Sequence, residues 1–462
     1  MIPGFVSTTA DFSENLFGDP KRVVIRMSVP IALALLVQYL NSVVDMFWVS
    51  GLGADAIAGV SVVTPIYSAI ISIGTGIGIG ASYAISKRIG AGDKASATNA
   101  SSQAFVMTLI VGILTIPVLY LSLESMIDYM GASDIFDLCY SYVYPMIFAS
   151  PLLMIGGLFA GSLRGEGAST RAMVVLIIAA IFNIVLDPIF IYTLGYGIAG
   201  AAYATVLSAA ISTVPILYWY ILKKDVAVPI KLKGFRFTRD EVRSISEVGF
   251  PQTAELMFMS LISIVFVRYV AVAGGTDLVA VFEIAWRIAI ILMVPAHAIS
   301  LAFVPVLSAS FGMGDSGRAK NILSLGLKIS ISIMILIAFI TYFAAPILAE
   351  VMTLSEDAMI LRDPVRDMLR VCALAFPAFS LVYSSAALLQ SMGKGMSSLV
   401  ITVVRNISIA AVYAVISVGG VISHMWWGFA MTEIIFGFIG ITIALLVFRI
   451  YCRKFPSLNN NM

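Results

Sequence analysis

The sequence predicts an all-α integral membrane protein, twelve transmembrane helices grouped as two six-helix lobes. Three observations carry that prediction. Of 462 residues, 60% are hydrophobic and only 12% charged, with a mean hydropathy of +1.00; soluble domains carry about 25% charge. Apolar runs of about 20 residues, the length that crosses a bilayer, recur along the chain. Landmark residues recur as well, at a nearly constant offset of 221 to 226.

The runs fall at 23–50, 57–86, 99–122, 137–163, 170–193 and 198–222, then 247–273, 278–306, 320–349, 367–391, 397–419 and 424–450. No alternating pattern of the membrane-barrel kind recurs. Lysine and arginine in the short loops set the orientation. Counting from the N-terminal side, 21 of the 28 basic residues share it, among them Lys87, Arg88, Lys94, Arg164, Arg171 and the seven of 223–243. Arg362, Arg366 and Arg370 fall opposite, and four more lie within the runs. One missed helix would destroy this asymmetry. Both termini are therefore expected on the cytoplasmic side of the cell membrane.

Pro30 matches Pro251, Gly90-Ala-Gly-Asp93 matches Gly312-Met-Gly-Asp315, and Gly167 matches Gly393. This implies a duplicated six-helix unit. Six is even, so both copies insert with the same polarity about an axis along the membrane normal. The expected division is a cytoplasmic N-terminal segment 1–22, an N-lobe 23–222, a cytoplasmic linker 223–246, a C-lobe 247–450 and a cytoplasmic tail 451–462. Two parallel lobes around a cleft suit a transporter; a symmetric receptor or scaffold is the alternative.

Several classes are disfavoured. Cys139, Cys372 and Cys452 are far apart, and His297 and His424 are isolated, so neither a disulfide framework nor a zinc spacing can be built. Residues 1–22 lack a signal-peptide pattern, and the first membrane helix is expected to act as its own uncleaved signal. A net charge of +2 without a polybasic motif gives no sign of a nucleic-acid partner. Gly74-Thr-Gly-Ile-Gly-Ile-Gly80 lacks the preceding strand and the lysine of a phosphate loop. Close helix packing through small residues is its expected role. Without a nucleotide-binding motif, neither an ATP-driven pump nor an enzyme is expected.

The chemistry is expected around Asn183-Ile-Val-Leu-Asp187-Pro188. An aspartate in hydrocarbon costs about 2.5–3.5 kcal/mol on insertion scales, so it marks a cavity that handles a cation, a proton or a polar ligand. Pro188 removes a backbone hydrogen bond and clashes near Ile184, loosening the helix beside the carboxylate. Asn183 and Asp187 share a face at i,i+4, and so do Gln38, Asn41 and Asp45 on the first membrane helix. At 1.5 Å rise per residue, Asp45 lies about 33 Å and Asp187 about 25 Å from the basic side, with Thr205 about 10 Å from the opposite face. Two carboxylates, three amides and a hydroxyl should therefore meet in the outer half of the N-lobe.

Such a set has two uses. Burial disfavours a charged carboxylate, and a second one nearby adds to this, so a pair can take up and release a proton. Alternatively, the oxygens form a hard-cation site suited to sodium. Against both, Asp45 just before Trp48 and Gly51 could merely cap a helix at the interface. In the C-lobe, Glu283 and Arg287 at i,i+4 suggest an intrahelical pair. Glu255, one turn beyond Pro251, is expected to face the cleft and attract cations. Arg405 and Glu433 are expected to pair across two helices, and His297 to be packed or interfacial.

These residues resemble the multidrug and toxic compound extrusion transporters over about residues 20–450, on motifs that are individually weak but specific in order. They are Pro30 with Asp45-Met-Phe-Trp48 and Gly51-Leu-Gly53, Gly90-Ala-Gly-Asp93, Leu163-Arg-Gly-Glu-Gly167, Asn183 to Pro188, and Gly200-Ala-Ala-Tyr-Ala-Thr205. The pattern is similar to the prokaryotic branch named after the DNA-damage-inducible member. That resemblance implies a V-shaped fold and export of bulky, often cationic drugs by rocker-switch antiport against inward sodium or proton flow. It also implies a coupling-ion site at Asp45, Asn183, Asp187 and Thr205; Gln38, Asn41 and Glu255 are expected in the substrate cavity from their helix faces, Glu255 without matching the family's acidic position clearly. The resemblance implies a hinge at Pro30, and the helix break at Pro188 is expected to be a second. No cofactor beyond the coupling ion and no obligate protein partner is implied, so a monomer is expected. Another branch uses acidic residues of the seventh and tenth helices; here the tenth, Val371 to Gln390, has none, while Asp363 and Asp367 precede it and look solvent-exposed. The second reading is a lipid-linked saccharide flippase of the wider superfamily, which would want a more cationic cavity.

Overall fold

The structure, a computed structural model, describes residues 9–354, 356–419 and 422–453. Residues 1–8 of the expected N-terminal segment and 454–462 of the tail lie outside the described residues. A short helix α1 (Thr9–Phe17) precedes α2 (Pro20–Ser50), α3 (Ala54–Gly90), α4 (Lys94–Tyr129), α5 (Phe136–Phe148), α6 (Ser150–Gly165), α7 (Ser169–Pro188) and α8 (Ile198–Leu217). Residues 224–238 then run without helix to α9 (Arg239–Leu292), α10 (Val294–Gly312), α11 (Ser316–Met352), α12 (Arg362–Ser391), α13 (Gly395–Gly419) and α14 (Ile422–Cys452).

Eleven of these helices are long and apolar enough to cross a membrane, and α5 with α6, bent by 59°, makes twelve. α9, with 54 residues, would be about 80 Å long at 1.5 Å per residue, too long for one crossing. Gly274 and Gly275 break it, Gly275 with φ 70°, where a side chain is strained. The kink there divides α9 into two helices. Its second part is interrupted at Met293, ahead of Pro295, and resumes as α10. Together they form the counterpart of α3, displaced by 222 residues.

The repeated landmarks have repeated geometry. Asp93 caps α4, accepting from Ser96 N at 2.9 Å; Asp315 caps α11, accepting from Arg318 N at 2.7 Å. Gly92 and Gly314 precede them at φ 76° and 73°. The helices outrun the expected apolar segments: 57–86 becomes Ala54–Gly90, and 99–122 becomes Lys94–Tyr129. Hydropathy sees only what sits in hydrocarbon, whereas a helix continues until a cap or a positive-φ glycine ends it. The bend between α5 and α6 was not legible as hydropathy, although Pro145 and Pro151 flank it.

The glycine run 74–80 packs helices, as expected. A Cβ on Gly74 or Gly78 would strike the backbone of α6 at Met154 or Gly157; on Gly76 or Gly80 it would strike α9 at Gly249 or Ile245. One helix thus offers one face to its own half and another to the opposite half. Gly90 and Gly312 cross equally closely, against the carbonyls of Ala309 and Lys87. Hydrogen bonds between the halves run from the middle of α3 to its basic end: Thr253 Oγ1 to Ser72 O at 3.5 Å, Arg88 to Glu241 at 2.6 Å, Gln103 to Thr238 at 2.7 Å. That end is sealed.

α1 lies across the seal. Asn15 donates to Gly167 O at 2.9 Å in one half, and Arg318 of the other donates to Leu16 O at 3.0 Å. Beneath α1, Arg171 is not a free loop base: it is 1% exposed, held between the rings of Phe12 and Trp219 and paired with Asp225.

Candidate functional site

Between the halves, beyond the sealed end, lies a cavity of about 710 Å³ lined by both. In the N-terminal half α2 and α7 lie side by side and each presents an amide and a carboxylate one turn apart. Asn41 Nδ2 donates to Asp45 Oδ2 at 3.1 Å, and Asn183 Nδ2 to Asp187 Oδ1 at 3.0 Å. A third bond joins the helices: Asn41 Nδ2 to Asn183 Oδ1 at 2.8 Å. The Asp45 and Asp187 carboxyls lie near enough to act on each other electrostatically. Asn183 and Asp187 are buried, Asp45 half-buried. Three buried oxygens of this network, Asn41 Oδ1, Asp45 Oδ1 and Asp187 Oδ2, have no donor.

The local backbone explains the placement. α7 ends at Pro188 and passes into a π-turn, Ile189–Thr193, as a missing amide and a clash one turn back require. α2 runs unbroken through Pro30. Asp45 is not a terminal cap; α2 continues five residues beyond it to Ser50.

Of the expected residues, the structure brings together Asn41, Asp45, Asn183 and Asp187. It does not bond Thr205 to them: that hydroxyl donates to Ala201 O at 3.0 Å within its own helix, though Thr205 lines the same cavity. Gln38 is exposed in the cavity wall and outside the bonded network. Asn41, expected in the cavity wall, is also the link between the two helices. Glu255 faces the cavity from the other half, accepting from Thr402 at 3.0 Å and Ser398 at 3.4 Å.

Arg405 and Glu433 pair across α13 and α14 at 3.4 Å, buried as expected, and both reach the cavity wall. His297 is packed, its ring stacked on Tyr383 at 5.1 Å. Glu283 and Arg287 lie exposed and form no ion pair with each other. Spacing alone does not hold two long side chains together against their rotamer entropy. Asp363 and Asp367 are exposed and held by Arg366. Sequence reasoning missed Tyr67, beside Asp45 in the cavity wall, and Arg164, counted there as a loop base but lining the sealed end. No motif marks Tyr67; Arg164 could have been found by aligning the two halves.

Two repeated bundles of membrane helices, joined at one end around a largely apolar cavity that carries a few polar clusters, define a membrane transporter of the two-half kind. The family model MatE matches residues 30–189 and again 251–416, once in each half. The chain belongs to this family, the multidrug and toxic compound extrusion transporters. It is 22% identical over 91% of its length to a multidrug export protein, MepA, from Staphylococcus saprophyticus, covering 92% of that protein. It is 26% identical over 83% of its length to an FAD transporter from Shewanella oneidensis, covering 85% of it. It superposes, at a TM-score of 0.90, 28% identity and 97% coverage, on the whole of a multidrug resistance transporter of this family in its outward-facing conformation.

Proposed function

We propose that this multi-pass membrane transporter exports small organic molecules, including cationic drugs, by antiport against an inward-moving proton or sodium ion held by Asp45 and Asp187. The observation that carries this reading is the set of three buried oxygens without donors around two adjoining carboxylates. Oxygens of this kind suit a proton or a hard monovalent cation. A sodium ion, where it is the coupling ion, would be held by Asn41, Asp45 and Asp187 and would supply the counter-charge; Thr205 would reach it only by giving up its bond to Ala201. Asn41 and Asn183 keep the two carboxylates at one height.

With the basic end cytoplasmic, the sealed end faces the cell interior and the cavity is reached from outside. Coupling then needs only that the ion favours one of two states over the other. Pro30, where α2 lacks a backbone amide, and Pro188 at the π-turn are the places where these helices would bend. The flippase reading draws no specific support from this wall, whose intramembrane cations are few and whose carboxylates are paired.

The test is efflux of a fluorescent organic cation from proteoliposomes under separately imposed sodium and pH gradients, with Asp187→Asn alongside. Gradient-driven efflux in the wild type and its loss in a folded Asp187→Asn variant are expected. Undiminished coupled efflux in the variant would sink the role of Asp187.

A further inference from the structure

The sealed end of the cavity is built differently from its wall. Arg164, in the last turn of α6, is 8% exposed and lines the cavity. Among the described residues it forms no ion pair or hydrogen bond. A buried guanidinium without a partner is costly. The internal repeat explains why it has none. By the offset of 226 that relates Gly167 to Gly393, Arg164 corresponds to Gln390, which bonds Gln252 at 2.5 Å. By the offset of 221 that relates Pro30 to Pro251, Gln252 corresponds to Ile31. Where the second half closes an amide pair, the first half sets an arginine against an aliphatic position. The partner that one half supplies internally is missing in the other.

Two further features share this end. Ser169, fully buried, lines the cavity and its hydroxyl has no partner. It is the first residue of α7, a helix of 20 residues whose N-cap, Ala168, offers no side-chain bond. The first amides of α7 therefore lack intrahelical acceptors and carry the positive end of the helix dipole. A guanidinium, a free hydroxyl and an uncapped helix start together describe a place for an oxyanion.

We propose that Arg164, with Ser169 and the start of α7, binds an anionic group of the transported molecule, a carboxylate or phosphate, so that among organic cations this transporter takes those that also carry an acid more tightly than those that do not. The ligand's body would rest on the apolar wall of the cavity and its acid would enter the sealed end. This rests on the reading that the cavity holds the transported molecule, but not on any particular coupling ion.

The test is equilibrium binding to the purified full chain in detergent, by fluorescence polarisation. The probes are a rhodamine bearing a free carboxyl group and the methyl ester of the same dye. A charge-assisted bond should make wild type bind the acid about tenfold more tightly than the ester. Arg164→Gln, which installs the residue of the second half, should erase that preference while leaving ester binding unchanged. Arg164→Lys should keep part of it. Wild type that does not distinguish acid from ester overturns the proposal, whatever the variants do. So does equal weakening of both dyes in Arg164→Gln. No gradient enters this assay, so failure of ion-coupled export leaves it standing, and its failure leaves the coupling site untouched.

Discussion

At the scale of single residues, the polar groups of this chain divide by whether the fold supplies their partner. Glu166, in the turn between α6 and α7, shows a half-satisfied case outside the spans. Its Oε2 accepts from Val228 N at 3.0 Å, while its buried Oε1 has none. Burial pushes the carboxyl up to about 8. The folded protein then holds a proton that the unfolded chain has released, so stability falls as pH rises from the ordinary carboxylate range to about 8. Glu166→Gln keeps an acceptor for Val228 and removes the charge. It should melt on the order of 2–4 °C higher than wild type at pH above about 8 and equally at the acid end of the range. Thermal unfolding in detergent at several pH values checks this; a gain independent of pH would contradict it. The same accounting separates Thr205 from Asn41, Asp45, Asn183 and Asp187. Its hydroxyl turns to the carbonyl one turn back, the usual recourse of threonine within a helix.

At the scale of elements, what could be read in the sequence was what a single helix determines. The pairs Asn41–Asp45 and Asn183–Asp187 follow from 3.6-residue geometry, and residue rise put both pairs in the outer half of the membrane. Rise gives height but not azimuth. Thr205 therefore came out at the right depth with its hydroxyl committed elsewhere, and the bond from Asn41 to Asn183 could not be foreseen. Hydropathy counted the crossings but not the bend at Ala149 or the break at Met293, because an apolar run is equally apolar bent, broken or straight. The glycine run on α3 was legible as packing, but not as packing on two partners. That division makes a prediction. Gly78 touches α6 in its own half, and Gly80 touches α9 in the other. Gly78→Val should lower the melting temperature, since it must displace backbone inside one bundle. Gly80→Val should instead force the halves apart at the basic end. Spin labels on cysteines replacing Lys94 and Lys320 should report a longer distance in Gly80→Val and an unchanged one in any Gly78→Val protein that folds. Equal lengthening in both would show that the two faces of α3 are not independent.

At the scale of the whole molecule, the two halves meet at the basic end through close backbone contacts and an ion pair. Gly90 against Ala309, Gly80 against Ile245 and Arg88 with Glu241 must all part before the cavity can open at the basic end. α1 adds to that side of the balance without belonging to either bundle. Its bonds to Gly167 in one half and from Arg318 in the other tie the halves together, and its Phe12 ring covers Arg171. Each hydrogen bond nets about 0.5–1.5 kcal/mol, so removing residues 1–17 should cost the sealed state about 1–3 kcal/mol, a population change of about 5–150-fold. A cysteine replacing Gly156, which lines the cavity and has open space at its Cβ, reads that change from both sides. In the truncated protein its reaction with a membrane-impermeant maleimide should quicken in inside-out vesicles and slow in right-side-out ones. Opposite signs are required, because a shift between two states moves access from one face to the other. Quickening on both faces would mean a loosened bundle, and α1 would then be a stabilising strap with no part in the switch.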